Sequence, residues 1–298
     1  AVYLTIAQSR MGFLRDALFI IIARIWRLPV IAHLHGGNYA HYYESENAFM
    51  QFVIRSILRK VKRLVVLSDQ LWTDFDFMGQ EFILRLRTVL NACPVSTGQP
   101  KKAPQEELRL LYLSNLLLEK GYMDCVDALP HLKRLLPEVR ITLVLAGTYM
   151  LGQDEYDSVS DMETALHKHI RYLELEDSIE LTGTVGKDAK QKLLDTAHIH
   201  LLPTYYQNEG QPITLIEALA SGIPSVTTPW RGNVDIVEDG STGIMIGSRS
   251  PLSIAEAIAE LYHDPDRYER MSRVAIDEAV KFALQHHVNE IVALLDEV

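Results

Sequence analysis

Short, continuously apolar runs recur along this chain, each followed by a stretch of helical period. AVYLTIA opens the sequence and FLRDALFIIIARIW follows. PVIAHLHG, ENAFMQFVIRSILRKVK and RLVVLS continue the alternation, then a helix near Asp69–Met78 and the run LRTVLNA. Strands that are apolar on both faces belong in a parallel sheet with helices covering both sides. The pattern breaks at Asn91–Glu107, NACPVSTGQPKKAPQEE, which is rich in Pro, Lys and Gln and predicts a linker. It then resumes with strands LRLLYLS, VRITLVLAG, IELTG, HIHLLPT, PSVTT and GIMIG between helices. The expectation is two doubly wound α/β domains in series: 1–95, 96–275, and a C-terminal helix over 276–298 that packs back on the first domain. In such sheets ligands bind beyond the carboxyl ends of the strands.

Composition narrows the class. The 298 residues are 48 % apolar and 23 % charged, enough for two ordinary soluble domains. The two cysteines, Cys93 and Cys125, fall in different predicted domains, so a reducing cytoplasmic setting without disulfides is expected. No C-x-x-C or Cys/His cluster points to zinc. The net charge of −10 is uneven: residues 1–100 carry +4 and the remainder −14. An acidic chain is a poor non-specific binder of nucleic acid, while the basic first third suits an anionic surface or substrate as well as it suits solvated helix faces. The run ALFIIIA, Ala17–Ala23, is too short to span a bilayer and predicts a buried helix.

The stretch NEGQPITLIEALASGIP places two glutamates, Glu209 and Glu217, in apolar surroundings. On a helix of about 100° per residue, Ile213, Ile216, Leu219 and Ala220 form an apolar arc. Thr214, Glu217 and Ser221 share a polar edge, and Gly222 can end the helix. Glu209 precedes the helix in a loop at the carboxyl end of a strand. Free N–H groups at a helix N-terminus favour an anion such as a diphosphate, and Glu217 could accept bonds from ribose hydroxyls. Geometry alone leaves this open beside the plainer alternative of a loop carboxylate and a solvated helix carboxylate. His33 and His35 are two apart on one side of a strand, either a metal pair or structural histidines. No third ligand lies nearby, which disfavours the metal. Asp74-x-Asp76 cannot form a metal pair on a helix, where residues two apart do not face each other. His198 and His200 lead a strand and are expected to be structural.

Glu209 and Glu217, in the context PTYYQNEGQPITLIEALASGIPSVTT followed by GNVDIVEDGSTGIMI, resemble the E-x7-E motif of retaining glycosyltransferases of family 4. LRLLYLSNLLLEKGYMDCVDAL is similar to the strand, loop and helix that open that family's C-terminal domain. The resemblance covers residues 95–250 closely and 1–95 less so. It implies the GT-B fold: two facing Rossmann-like doubly wound parallel-sheet domains with a cleft between them. It also implies that the first domain is incomplete here, because the family's opening strand and Gly-rich loop would precede Ala1. The chain accordingly looks like a fragment or processed form whose acceptor side is partly absent, and an exposed sheet edge would invite oligomers.

By the same resemblance, Lys120 contacts the donor diphosphate, Glu217 holds the ribose, and Glu209 lies near the transferred sugar and phosphate. Gly210, Gln211, Pro212, Ile213 and Thr214 form the loop and helix start that cradle phosphate. Thr184 and Val185 flank the base. His35, with Gly36 and Gly37 turning the chain beside it, contacts the donor sugar. Asn115 stands where many members have arginine, so the diphosphate is held with less charge unless another residue, such as Arg231, compensates. The implied reaction moves a sugar from a UDP- or GDP-sugar to a glycan or lipid-linked acceptor with retention, without metal or other cofactor. Cell-surface polysaccharide assembly at the inner face of the membrane is the implied setting. Two alternatives stand beside it: a nucleotide-sugar-binding module that does not transfer, and a sugar-nucleotide epimerase of the same fold, which the E-x7-E context disfavours.

Overall fold

The computed structural model describes residues 1–94, 99–152 and 156–297; residues 95–98 of the expected linker therefore lie outside the described residues. Its contacts divide the chain into two units. The first comprises Ala1–Cys93, Gln207–Pro212 and Phe282–Val298, and the second Pro94–Tyr206 and Ile213–Lys281.

The first unit holds a four-stranded sheet of β1 (Val2–Thr5), β2 (Val30–His33), β3 (Arg63–Val66) and β4 (Leu86–Thr88), in that order. All pairings are parallel. Every residue of β2 is buried, as its unbroken apolar character requires. The connections are α1 (Arg10–Ile25), α2 (Tyr39–Ser45), α3 (Ala48–Leu58), a 3-10 segment Asp69–Met78 and α4 (Gln80–Ile83). Phe13, Ile20, Leu34, Tyr39, Ile54 and Phe75 fill the core beneath them. Asn47 starts α3 by accepting a hydrogen bond from Met50 N at 3.0 Å.

Two sequence expectations meet the structure here. The helix over Ala17–Ala23 forms, but it is not buried all round. Phe13, Asp16, Ala17, Ile20 and Ala23 face the core, whereas Leu18 and Phe19 are 57 % and 56 % exposed. Consecutive apolar residues encircle a helix, and only one face of α1 meets the sheet. In the Asp74/Asp76 pair, Asp74 is buried and its Oδ2 accepts from Tyr39 N at 3.1 Å, while Asp76 faces solvent.

The second unit contains β5 (Glu107–Leu113), α5 (Tyr122–Leu135), β6 (Arg140–Ala146), α6 (Val159–Tyr172), β7 (Ile179–Gly183) and α7 (Lys187–Thr196). It continues through β8 (Ile199–Leu202), α8 (Ile213–Ala220), β9 (Ser225–Thr227), β10 (Gly243–Met245), α9 (Pro251–His263) and α10 (Pro265–Ala279). Its six parallel strands run in the order β10-β9-β8-β5-β6-β7. The winding therefore reverses between β5 and β8, the crevice where doubly wound sheets take ligands.

The helix expected over 276–298 is interrupted. A 3-10 turn, Val280–Phe282, separates α10 from α11 (Leu284–Asp296), which packs Leu294 against Ile31, Val65 and Val89 of the first unit. Cys93 and Cys125 are both buried.

Candidate functional site

In the second unit, the winding reversal positions the residues around Lys120. Gly121 is left-handed at φ 79° and caps α5. A Cβ there would lie 2.6 Å from the Pro203 carbonyl oxygen, so only glycine lets the segment after β5 approach the end of β8 this closely. Tyr205 N donates to the Glu119 carbonyl at 2.7 Å and tightens the junction. The Lys120 ammonium then sits 5.5 Å from the centroid of the Tyr206 ring, and the Arg249 guanidinium 4.4 Å from that of Tyr205. Asn115 is exposed at the end of β5, with its amide nitrogen 3.5 Å from Met150 Sδ. Trp230, just before Arg231, donates from Nε1 to the Tyr206 carbonyl at 2.8 Å. Asp124, in the first turn of α5, has its carboxyl pushed up to about 6, first by burial and then by neighbouring Asp127.

Glu217 is neither stranded nor solvated. Its side chain is 14 % exposed, and Oε1 pairs with Nζ of Lys190 on α7. Oε2 is buried and makes no hydrogen bond. Lys190 N in turn donates to the Gly186 carbonyl at 2.8 Å, so the pair lies beside the Thr184–Gly186 loop. The Thr184 hydroxyl hydrogen-bonds that of Thr148, and Val185 packs against the core that includes Ala218 and Ile223. The apolar arc of α8 differs from the sequence expectation at one end. Ile213 is 46 % exposed, and Leu215 and Ala218 join Ile216, Leu219 and Ala220 inside. The first residue of a helix has no preceding turn to pack it inward.

Gln207–Pro212 belong by their contacts to the first unit, and the hydrogen bonds there explain why. Gly37 N donates to the Asn208 carbonyl at 3.1 Å. Asn91 donates from its backbone N to Gln211 Oε1 at 2.6 Å and from Nδ2 to the Gln211 carbonyl at 2.9 Å. A Cβ on Gly210 would be 2.4 Å from the His35 carbonyl oxygen, and one on Gly36 would strike the Gln8 side chain. The loop thus brings buried Glu209, Gly210, Gln211 and Pro212 against the chain that leaves β2 at His35 and Gly36. Nε2 of Gln211 is buried without a partner.

His35 is exposed and stacks on buried His33 at 4.1 Å between centroids, with His287 of α11 stacked 6.2 Å from His33. Burial first, then the two neighbouring imidazoles, brings His33 down to about 3. Burial and His287 lower His35 as well. Both rings are therefore neutral near pH 7 and can donate or accept single hydrogen bonds. His200 in β8 is fully buried and lowered to about 3 by burial alone, as suits a core residue. Among the described residues no group of three or more His, Cys, Asp or Glu is placed to hold a metal ion.

Lys190, His287, Gln8, Asn91 and Arg249 were not singled out in the sequence. Each acts through a tertiary contact, and none carries a local pattern that marks it.

The two parallel α/β units define the GT-B class. The fold matches the crystal structure of Anabaena HepE in complex with UDP at a TM-score of 0.79 and 18 % identity, covering all of this chain and 79 % of that one. The family described as glycosyl transferases group 1 matches residues 97–278, and the chain belongs to it. A Mycobacterium tuberculosis glycogen synthase is 26 % identical over 266 residues, 86 % of this chain and 60 % of the relative. A GDP-mannose-dependent phosphatidylinositol monomannoside mannosyltransferase of the same organism is 28 % identical over 184 residues, 57 % of this chain and 44 % of its own. The chain thus spans roughly half the length of these relatives.

Proposed function

We propose that this chain is a glycosyltransferase that moves a hexosyl group from a UDP- or GDP-sugar to a glycan or lipid-linked acceptor, with retention and without a metal. Family membership supports sugar transfer. The relatives and neighbours whose names carry UDP or GDP-mannose support a nucleotide-sugar donor. Cell-surface polysaccharide assembly on the cytoplasmic side of the membrane is the setting proposed for it.

The observation that carries the donor reading is Glu217. A carboxylate oxygen buried without a partner costs free energy comparable to a lost hydrogen bond. Two ribose hydroxyls donating to this carboxylate would recover that loss. Lys120 is the proposed partner of the diphosphate. It rises from the turn after β5, where the sheet winding reverses, and an ammonium there stabilises charge gathering on the leaving group. Asn115 is assigned a neutral hydrogen bond to the same group. Gly210, Gln211, Pro212, Ile213 and Thr214 are assigned to the phosphate through backbone N–H groups where they carry them, and Thr184 and Val185 to the base. In the first unit, neutral His35 with Gly36 and Glu209 is assigned to the transferred sugar. As the glycosidic bond loosens, the acceptor hydroxyl attacks from the face the diphosphate leaves, and the diphosphate takes its proton.

A panel of UDP- and GDP-sugars, assayed for nucleoside diphosphate release with and without mixed glycan acceptors, tests the reading. Acceptor-dependent release with an unchanged anomeric configuration in the product supports it. Release of a sugar with altered stereochemistry and no acceptor would replace it with an epimerase.

A further inference from the structure

Cations gather at one end of the first unit. Arg24 closes the last turn of α1, Arg59 and Lys60 follow α3, Lys62 and Arg63 lead into β3, and Arg85 precedes β4. These six side chains line one open concavity at the edge of the sheet where its strands begin. His35 follows the opposite end of β2, so this concavity is remote from the sugar-side residues of the same unit.

Local structure accounts for part of the charge. Arg63 pairs with Glu297 at 3.1 Å, and Arg85 Nη1 donates to the carbonyls of Arg59 and Val61 at 2.8 and 3.0 Å. Cations also suit helix C-termini. No carboxylate among the described residues pairs with Arg24, Arg59, Lys60 or Lys62. Large apolar side chains stand next to these cations in sequence and project into solvent. Ile25 is 73 % exposed, Trp26 75 % and Leu84 76 %.

We propose that this end of the first unit docks on an anionic lipid bilayer. The cations provide attraction to the lipid phosphates, and Ile25, Trp26 and Leu84 enter the interface, where tryptophan in particular is favoured. A soluble phosphate would leave those apolar tips in water, and so would a nucleic-acid backbone. No described helix is long and apolar enough to cross a membrane, and the proposed contact is with the bilayer surface. The inference stands on the surface alone and does not depend on the donor reading.

Co-sedimentation of the whole chain with phosphatidylcholine vesicles, with and without equimolar phosphatidylglycerol, tests it. Binding is expected only to the anionic vesicles and should fall as salt is raised. Arg24→Glu with Lys60→Glu and Lys62→Glu should lower it by at least roughly fivefold for each cation removed. Lys168→Glu, exposed on α6, should bind as the parent does. Trp26→Phe should keep binding but lose most of the blue shift in tryptophan emission that vesicles induce. No binding by the folded chain, equal binding to neutral vesicles, undiminished binding by the triple variant, or capture of RNA in place of vesicles would each overturn the proposal.

Discussion

Lys190 on α7 holds one oxygen of the Glu217 carboxylate on α8, and the other oxygen is buried without a partner. The pair explains how a glutamate persists at the edge of a core helix: a largely desolvated carboxylate needs a cation or a donor at close range. Lys190→Met should destabilise the second unit by about 1–3 kcal/mol, since it removes a charge-assisted hydrogen bond from a carboxylate that stays desolvated. Glu217→Gln with Lys190→Met should recover part of that loss. Thermal denaturation of the two singles and the double measures the coupling, and strictly additive effects would contradict it.

Gly210→Ala should be costly and Gly186→Ala should not. The first places a methyl 2.4 Å from the His35 carbonyl oxygen, whereas nothing lies within 4 Å of the second. The expected cost is about 1–3 kcal/mol at Gly210 and within about 0.5 kcal/mol at Gly186. Donor turnover should fall for the Gly210 variant alone, because the displaced loop carries Glu209.

Gly121→Ala combines a left-handed φ of 79° with a Cβ 2.6 Å from the Pro203 carbonyl oxygen. Strain and overpacking together should cost about 2–4 kcal/mol and displace the turn that presents Lys120. Melting temperature reports the first effect and nucleotide affinity the second.

Burial makes one histidine in each unit especially resistant to protonation, His33 in the first and His200 in the second, both lowered to about 3. Between that value and the ordinary 6.5 the unfolded chain binds more protons than the folded one. Stability is therefore full above about pH 6.5 and falls as the pH drops towards 3. Each histidine should contribute about 1–2 kcal/mol of loss between pH 6.5 and 5. Asp124, raised to about 6, acts in the opposite sense, favouring the folded state below that pH and losing the benefit as pH rises through it. Melting temperatures across this range should fall less steeply for His33→Asn and His200→Asn than for the parent. An unchanged slope would contradict the assignment.

The alternation of strand and helix was legible because doubly buried strands need continuous apolar runs, and the elements appear where those runs stand. The strand order was not legible, since the reversal between β5 and β8 depends on which edge each crossover takes. The face of a helix can be read from period only when polar residues mark its limits. α1 lacks such limits over Ala17–Ala23, and its exposed side was missed. Glu209 and Glu217 stood out as candidates because a carboxylate in apolar surroundings is conspicuous. Lys190, which answers Glu217, lies among several lysines of α7 and has no local signature. The capture of Gln207–Pro212 by the first unit was equally hidden, because it rests on Gly37 and Asn91, far away in sequence.

Calorimetric titration of UDP and GDP into the chain, beside Glu217→Ala and Lys120→Ala, is the experiment to do first. One nucleotide should bind saturably, and each substitution should weaken it by roughly tenfold or more, as expected for loss of a charge-assisted hydrogen bond. A folded chain that binds neither nucleotide, or binds one with no loss in either variant, would contradict the proposed donor site.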